Sequence, residues 1–300
     1  MTRSLALRSL ATLVALLGIA VGRAGAATLI VAPGPGSPVQ DAIDAAQPGD
    51  RVVLSAGVYD EAIAITKPLK LVGNPPLGTV VLDAGCAAPI ALEVASDGVA
   101  IQRIVIRRGA VSDVALNGVS SVRLTDVWTH GPGFSGGCPG TQYGLDVTRS
   151  SQVSVRRSVF VGSTGAAATG YGGAAIYVHG IADGAEVAIL KTNGLSSRYG
   201  ILVGDVSGGA AARTLAVKKC GFARNDTGVL LADADGTRII GNDVQDNGTA
   251  GISVDSGSDE NLLVGNRVTG SATDVSDAGV SNCWIGNSFT TGTVPTGGCP

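Results

Sequence analysis

Between Gly228 and Val268 the chain reads GVLLADADGTRIIGNDVQDNGTAGISVDSGSDENLLVGNRV, and it states one phrase twice. Gly228-Val229-Leu230-Leu231 returns as Gly251-Ile252-Ser253-Val254, and Ile239-Ile240-Gly241-Asn242-Asp243-Val244 returns as Leu263-Val264-Gly265-Asn266-Arg267-Val268. Self-similarity at a fixed period of this length is the mark of a solenoid. The first phrase recurs upstream at Gly144, Ala175 and Gly200, and weakly downstream at Asp274. The second keeps a frame: an apolar residue, two residues, a slot, one residue, an apolar residue. Along the chain the slot holds Ile104, Val127, Ser158, Thr192, Cys220, Asn242, Asn266 and Asn287, and the frame loosens at Thr129 and Leu195. Side chains alternate faces along a strand, so the slot and the residue two places on point inward, and the leading residue reaches the core across a bend. Coils stacked about 4.8 Å apart place each slot above the last. The fold expected is all-β, a parallel solenoid in which Asn242, Asn266 and Asn287 form an internal amide ladder.

Composition agrees. Glycine supplies 45 of 300 residues, aromatics only 4%, and Val, Ile, Leu and Ala carry the hydrophobicity, as in short strands joined by tight turns. Arg3 and Arg8 precede an apolar run from Leu10 to Val21 and the small residues Ala24-Gly25-Ala26, which reads as a signal peptide over residues 1–26. That run is too short to span a bilayer, and no second run of spanning length follows. The expectation is an exported protein, secreted or periplasmic, whose mature part (27–300) is one β-helix domain. Its net charge is −3 before Arg3, Arg8 and Arg23 are removed, which argues against a nucleic-acid partner.

Both ends need covers, because an open solenoid end is a bare sheet edge. Ser37-Pro38-Val39-Gln40 has the form of a capping box with proline at the first helical position, and Val39, Ala42, Ile43 and Ala46 make one apolar stripe, so a capping helix is expected over about 38–46. The tail from Cys283 to Cys299 is expected to blunt the other end (about 283–300). Five cysteines in an exported chain imply disulfides with one thiol over. Cys86, Cys138, Cys283 and Cys299 lie in loops or brackets and are the candidates for pairing, Cys283 with Cys299 first, whereas the slot residue Cys220 is the candidate free thiol.

From Ser37 to Gly73, SPVQDAIDAAQPGDRVVLSAGVYDEAIAITKPLKLVG resembles the opening of secreted right-handed parallel β-helix proteins of the pectin-lyase-like superfamily, and the later coils resemble their degenerate repeats. The resemblance implies a right-handed, single-stranded β-helix. It does not carry an activity across. Of the sets that such enzymes use, the Asp-Asp pair, the Gly-His-Gly, the Trp-Ile-Asp-His stretch and the Asp-Pro-His are all absent.

Three features are left for function. Trp128, His130, Phe134, Tyr143, Tyr171, Tyr177, His179 and Tyr199 crowd aromatic and imidazole rings into one region, beside the two longest interruptions of the repeat. Loops that lengthen on one side of a solenoid build its binding face, so Trp128, Tyr143, Asp146, Arg149, Tyr177 and Tyr199 are candidate carbohydrate contacts. The turns after the first strand type bring Arg149, His179, Asp205, Asp233 and Asp255 toward one ledge. There His179, Asp205 and Asp233 are candidates for acid–base catalysis, and Asp205, Asp233 and Asp255 supply oxygen ligands that suit Ca²⁺; no other cofactor is indicated. An aspartate in a turn also bonds its own backbone, which explains the same residues without chemistry. Outward-facing Leu202 and Leu230 require a cover. Asn225-Asp226-Thr227 and Asn247-Gly248-Thr249 match the N-glycosylation pattern, a match that repeats rich in Asn, Gly and Thr produce by chance. The leading expectation is a polysaccharide-binding β-helix protein. Its rivals are a polysaccharide lyase or glycoside hydrolase working through His179 with Asp205 and Asp233, and a non-catalytic structural or protein-binding surface protein.

Overall fold

The computed structural model describes residues 25–130, 138, 140, 142–162, 172–207, 215–295 and 299. Most of the expected signal peptide, together with Phe134 and Tyr171, lies outside the described residues. No helix among the described residues is long and apolar enough to cross a membrane.

The repeated phrase is one turn of a right-handed parallel β-helix. Thr227–Ala234, Arg238–Ile240 and Asp243–Gln245 form one coil, and Ala250–Val254, Leu262–Val264 and Arg267–Thr269 form the next. Their pairing is parallel and keeps the sequence phrase in register: Val229 faces Ile252, Ile239 faces Leu263, and Val244 faces Val268. A ten-stranded parallel sheet from Ile63–Ile65 to Gly292–Thr293 makes one wall, and an eighteen-stranded sheet carries the other two. Gly241, Gly265 and Gly286 stand at φ between 60° and 63°, the left-handed region that glycine enters without strain. They supply the bend by which Ile239 and Leu263 reach the core.

The slot asparagines form the ladder. Cys220 N–H donates to Asn242 Oδ1 at 2.9 Å, and Asn242 gives both its N–H and its Nδ2 to Asn266 Oδ1 at 3.0 Å. Asn266 repeats the pattern onto Asn287 at 2.9 Å. Upstream, Ser158 Oγ takes the N–H of Val127 in the same way. Two further ladders occupy the other corners of the coil. Asn225 stacks on Asn247, and Asn261 stacks on Asn282 with Thr237 N–H above it. Asn225 and Asn247 are thus buried acceptors, 3% and 1% exposed, and neither glycosylation match presents its amide to solvent.

The helix spans Pro38–Ala45 and buries Val39 and Ile43 against the first coil. The capping box does not form, because the Ser37 side chain makes no cap bond. Instead Glu61, from the chain beneath, accepts the N–H groups of Val39 and Gln40 at 2.9 and 3.0 Å, a carboxylate at a helix N-terminus. At the other end Trp284, Phe289 and Val294 pack against the core, and Trp284 Nε1 donates to Asp277. Disulfides join Cys86 to Cys138 and Cys283 to Cys299, and Cys220 is a buried free thiol.

Candidate functional site on the outer wall of the ten-stranded sheet

The strands Tyr143–Thr148, Ala174–Ile181 and Tyr199–Val206 lie side by side in the ten-stranded sheet. Alternation turns Leu145, Val147, Ile176 and Val178 inward, where all four are fully buried. It leaves Asp146, Thr148, Tyr177 and His179 outside. Register sets Asp146 beside Tyr177 and Thr148 beside His179.

The outcome is a compact polar and aromatic group. Tyr177 stacks on Tyr143 with ring centroids 5.0 Å apart and on His179 at 4.1 Å, the second pair only 12° from parallel. Thr148 Oγ1 donates to Asp146 Oδ1 at 2.9 Å and lies 2.6 Å from His179 Nε2, which is itself 3.3 Å from Asp146 Oδ1. Nε2 is thus the ring nitrogen engaged within the group, by Thr148 and Asp146. Burial, reinforced by Tyr177 and Asp146, pushes the Tyr143 hydroxyl up to about 12, so it stays a neutral donor at any ordinary pH.

A shallow cleft of about 240 Å³ opens next to this group, lined by Arg149, Gly180, Ile181, Ala182, Asp205 and Ser207. A Cβ at Gly180 would come within 3.1 Å of Arg149 Cγ and 3.9 Å of Asp205 Oδ2, so the bare glycine is the floor between a guanidinium and a carboxylate.

The ledge read from sequence is two columns rather than one. Thr148, His179, Gly204 and Ala232 stack in one, and the following residues Arg149, Gly180, Asp205 and Asp233 stack in the other. His179 bonds Thr148 and Asp146, while Asp205 and Asp233 sit at φ of 49° and 53°, at left-handed bends within the strands Tyr199–Val206 and Thr227–Ala234. Asp255 Oδ1 accepts from Asp233 N–H, Gly257 N–H and Ser258 Oγ, a turn brace of the kind aspartate makes anywhere. Among the described residues no three His, Cys, Asp or Glu side chains converge as metal ligands. Trp128 belongs to the eighteen-stranded sheet, paired with Val105 and Val159, and is not gathered with the tyrosines. Tyr199 is 9% exposed beneath the Arg198 guanidinium, and Leu202 and Leu230 pack with Tyr143, Ala174, Tyr177 and Ala232. Sequence reasoning passed over Thr148 and Gly180; the signal for both was the strand register.

A family model described as "Periplasmic copper-binding protein (NosD)" matches residues 134–297, more than half of the chain and all of this site. The chain belongs to the NosD family. No curated protein matches the sequence. Among solved structures, pectate lyase Pel9A is similar with a TM-score of 0.56 and 12% identity, covering 91% of this chain and 80% of its own. An alginate lyase from Paenibacillus sp. str. FPU-7 gives a TM-score of 0.51 and 14% identity, covering 90% and 98%. At such identities the likeness is one of fold, and this NosD-family chain shares the β-helix with both.

Proposed function

We propose that the protein binds a polysaccharide segment on this outer wall, with one sugar seated between Arg149 and Asp205 and the next against His179. The observation that carries the reading is the cleft itself, in which a cation and a carboxylate flank a glycine floor beside a ring stack. Asp205 is placed to accept hydroxyl donors and Arg149 to donate to hydroxyl or carboxylate oxygens. Tyr177 carries two stacked neighbours, so it positions His179 and forms the wall instead of offering a free ring face.

A catalytic reading is favoured by one observation, the His179–Asp146 pair. The Asp146 carboxylate holds the imidazole in place beside the cleft, where the ring would serve proton transfer to a sugar oxygen.

Copper does not fit the residues present. Soft nitrogen and sulfur ligands select copper, yet the chain has two histidines and one methionine, four of its five cysteines are in disulfides, and the fifth is buried. Burial pushes that thiol, Cys220, up to about 11, against hydrogen bonds from the backbone around Thr192 and Lys218. The family is periplasmic by its description, and two disulfides suit an oxidising compartment. Export through a signal peptide cleaved after Ala26 is part of this proposal.

Retention on immobilised acidic and neutral polysaccharides tests it. Asp205→Asn or Arg149→Gln should weaken retention about tenfold or more, as for loss of a hydrogen bond to a charged group. Wild-type retention by both variants would dismiss the cleft. If product is released, His179→Ala should abolish it, and turnover that survives would remove His179 as catalyst.

A further inference from the structure

The eighteen-stranded sheet carries a second surface. Arg156, Arg157, Leu190, Lys191, Lys218 and Lys219 line a cleft of about 300 Å³, five cations and no carboxylate, on a chain whose net charge is −3. Arg157, Lys191 and Lys219 occupy the same turn position in three successive coils, as the pairing of Val159 with Asn193 and of Asn193 with Gly221 requires. Arg156, Leu190 and Lys218 fill the column beside them. Arg157 is held by Asp126 in a two-pronged bond at 2.8 and 2.9 Å. Lys191, Lys218 and Lys219 have no carboxylate within ion-pair distance among the described residues.

The backbone makes this row costly. Arg157, Lys191 and Lys219 stand at φ of 49°, 50° and 55°, and the next three coils place Gly241, Gly265 and Gly286 at the same position with φ of 60° to 63°. A side chain in the left-handed region is strained where glycine is not. The two preceding coils carry Arg103 and Asp126 at this position, each at φ of 56°, so side chains take the bend through five coils and the cleft holds the last three of them.

We propose that this row is a binding site for a linear anionic glycan, laid along the solenoid axis. The parallel stacking sets successive cations about 4.8 Å apart in a straight line, a spacing comparable to one sugar unit, so a charge on each residue of the glycan meets a cation on each coil. A nucleic acid is disfavoured by the overall charge and by the absence of aromatic residues in the cleft. This surface lies on a different sheet from the Arg149–Asp205 cleft, so the two readings stand or fall separately.

Binding of fluorescein-labelled dextran sulfate, read by anisotropy at low and moderate salt, tests the site. The wild type should bind, weaken as salt rises, and ignore neutral dextran. Lys191→Gln with Lys219→Gln should weaken binding about 30-fold, taking the usual worth of a cation near an anionic surface. Arg51→Gln, a cation several coils upstream of the cleft, should bind as wild type. Should the glutamine pair fold poorly, Lys191→Gly with Lys219→Gly removes the same charges with the residue that the backbone prefers. Undiminished binding by either folded pair would overturn the proposal. So would equal affinity for neutral dextran, or binding only to vesicles of anionic phospholipid.

Discussion

The coils from Leu215 to Ser288 and those from Ser112 to Val206 share one fold and spend their sequence differently. In the later coils, after Cys220 and Thr237, the corners are chiefly asparagines stacked on asparagines, and the phrase barely varies. In the earlier coils the slots are Val127, Ser158 and Thr192, the turns are longer, and the variety is on the outside: Asp146, Tyr177, His179 and the cations Arg156, Arg157 and Lys191, a row that Lys218 and Lys219 carry into the first of the later coils. Repetition in the later coils is what the ladders require, because a rung works only when the next coil offers the same group. The earlier coils, with fewer such demands at their corners, are free to carry chemistry.

The largest expected break in this contrast is Asn266→Leu. It strips an acceptor from Asn242 N–H and Nδ2 and a donor from Ile239 C=O, all buried, at roughly 1–3 kcal/mol for each group left unpaired. Urea unfolding should show a loss of several kcal/mol, whereas Val127→Ala, at an apolar slot, should lose about what a buried methyl pair is worth, roughly 1–2 kcal/mol. Equal losses would erase the distinction between the two regions.

Asp113 sharpens it from the other side. It is fully buried in the earlier coils, Oδ1 accepts from Gly109 N–H at 3.1 Å, and Oδ2 has no partner among the described residues. Burial drives its carboxyl well above the usual range, against the pull of the Gly109 and Arg108 N–H groups and with the charge of Asp83 adding to the rise. A carboxyl raised in the folded state contributes stability at low pH and loses it as pH climbs toward the folded value. Asp113→Asn should therefore be more stable than wild type at pH 7, with the gain vanishing below about pH 4 where the unfolded carboxyl is also protonated. A gain independent of pH would show that charge burial is not its source.

The smallest effect concerns Cys220, where the slot series passes from hydroxyls to amides. With its thiol inward and raised to about 11, it should resist iodoacetamide in the native protein and react promptly in urea. Fast native labelling would mean that the corner opens without unfolding.

How much of this could be read in the sequence follows from what repeats. The coils, the slots, the Asn242–Asn266–Asn287 ladder and the inward Cys220 were legible because each recurs in a fixed frame. The corner ladders at Asn225 and Asn261 were not, since their asparagines stand outside the apolar frame, and two of them were hidden in glycosylation matches. At the candidate site, Tyr143, Tyr177, His179, Arg149 and Asp205 were all named, yet their grouping was misjudged. One residue of offset sends His179 and Asp205 to neighbouring columns, and only the register, Thr148 with His179 and His179 with Gly204, decides between them. The helix cap failed as a reading for a similar reason: the competing carboxylate, Glu61, is local in space and distant in sequence.

The ladders also have a direction. In every rung the backbone N–H of the earlier coil donates to a side-chain oxygen of the later one: Val127 to Ser158, Cys220 to Asn242, Asn242 to Asn266, Asn266 to Asn287. A chain made from its N-terminus thus releases each donor before its acceptor exists, and every finished coil waits on the one still to be made. A coil without its successor therefore leaves these backbone N–H donors open at its edge.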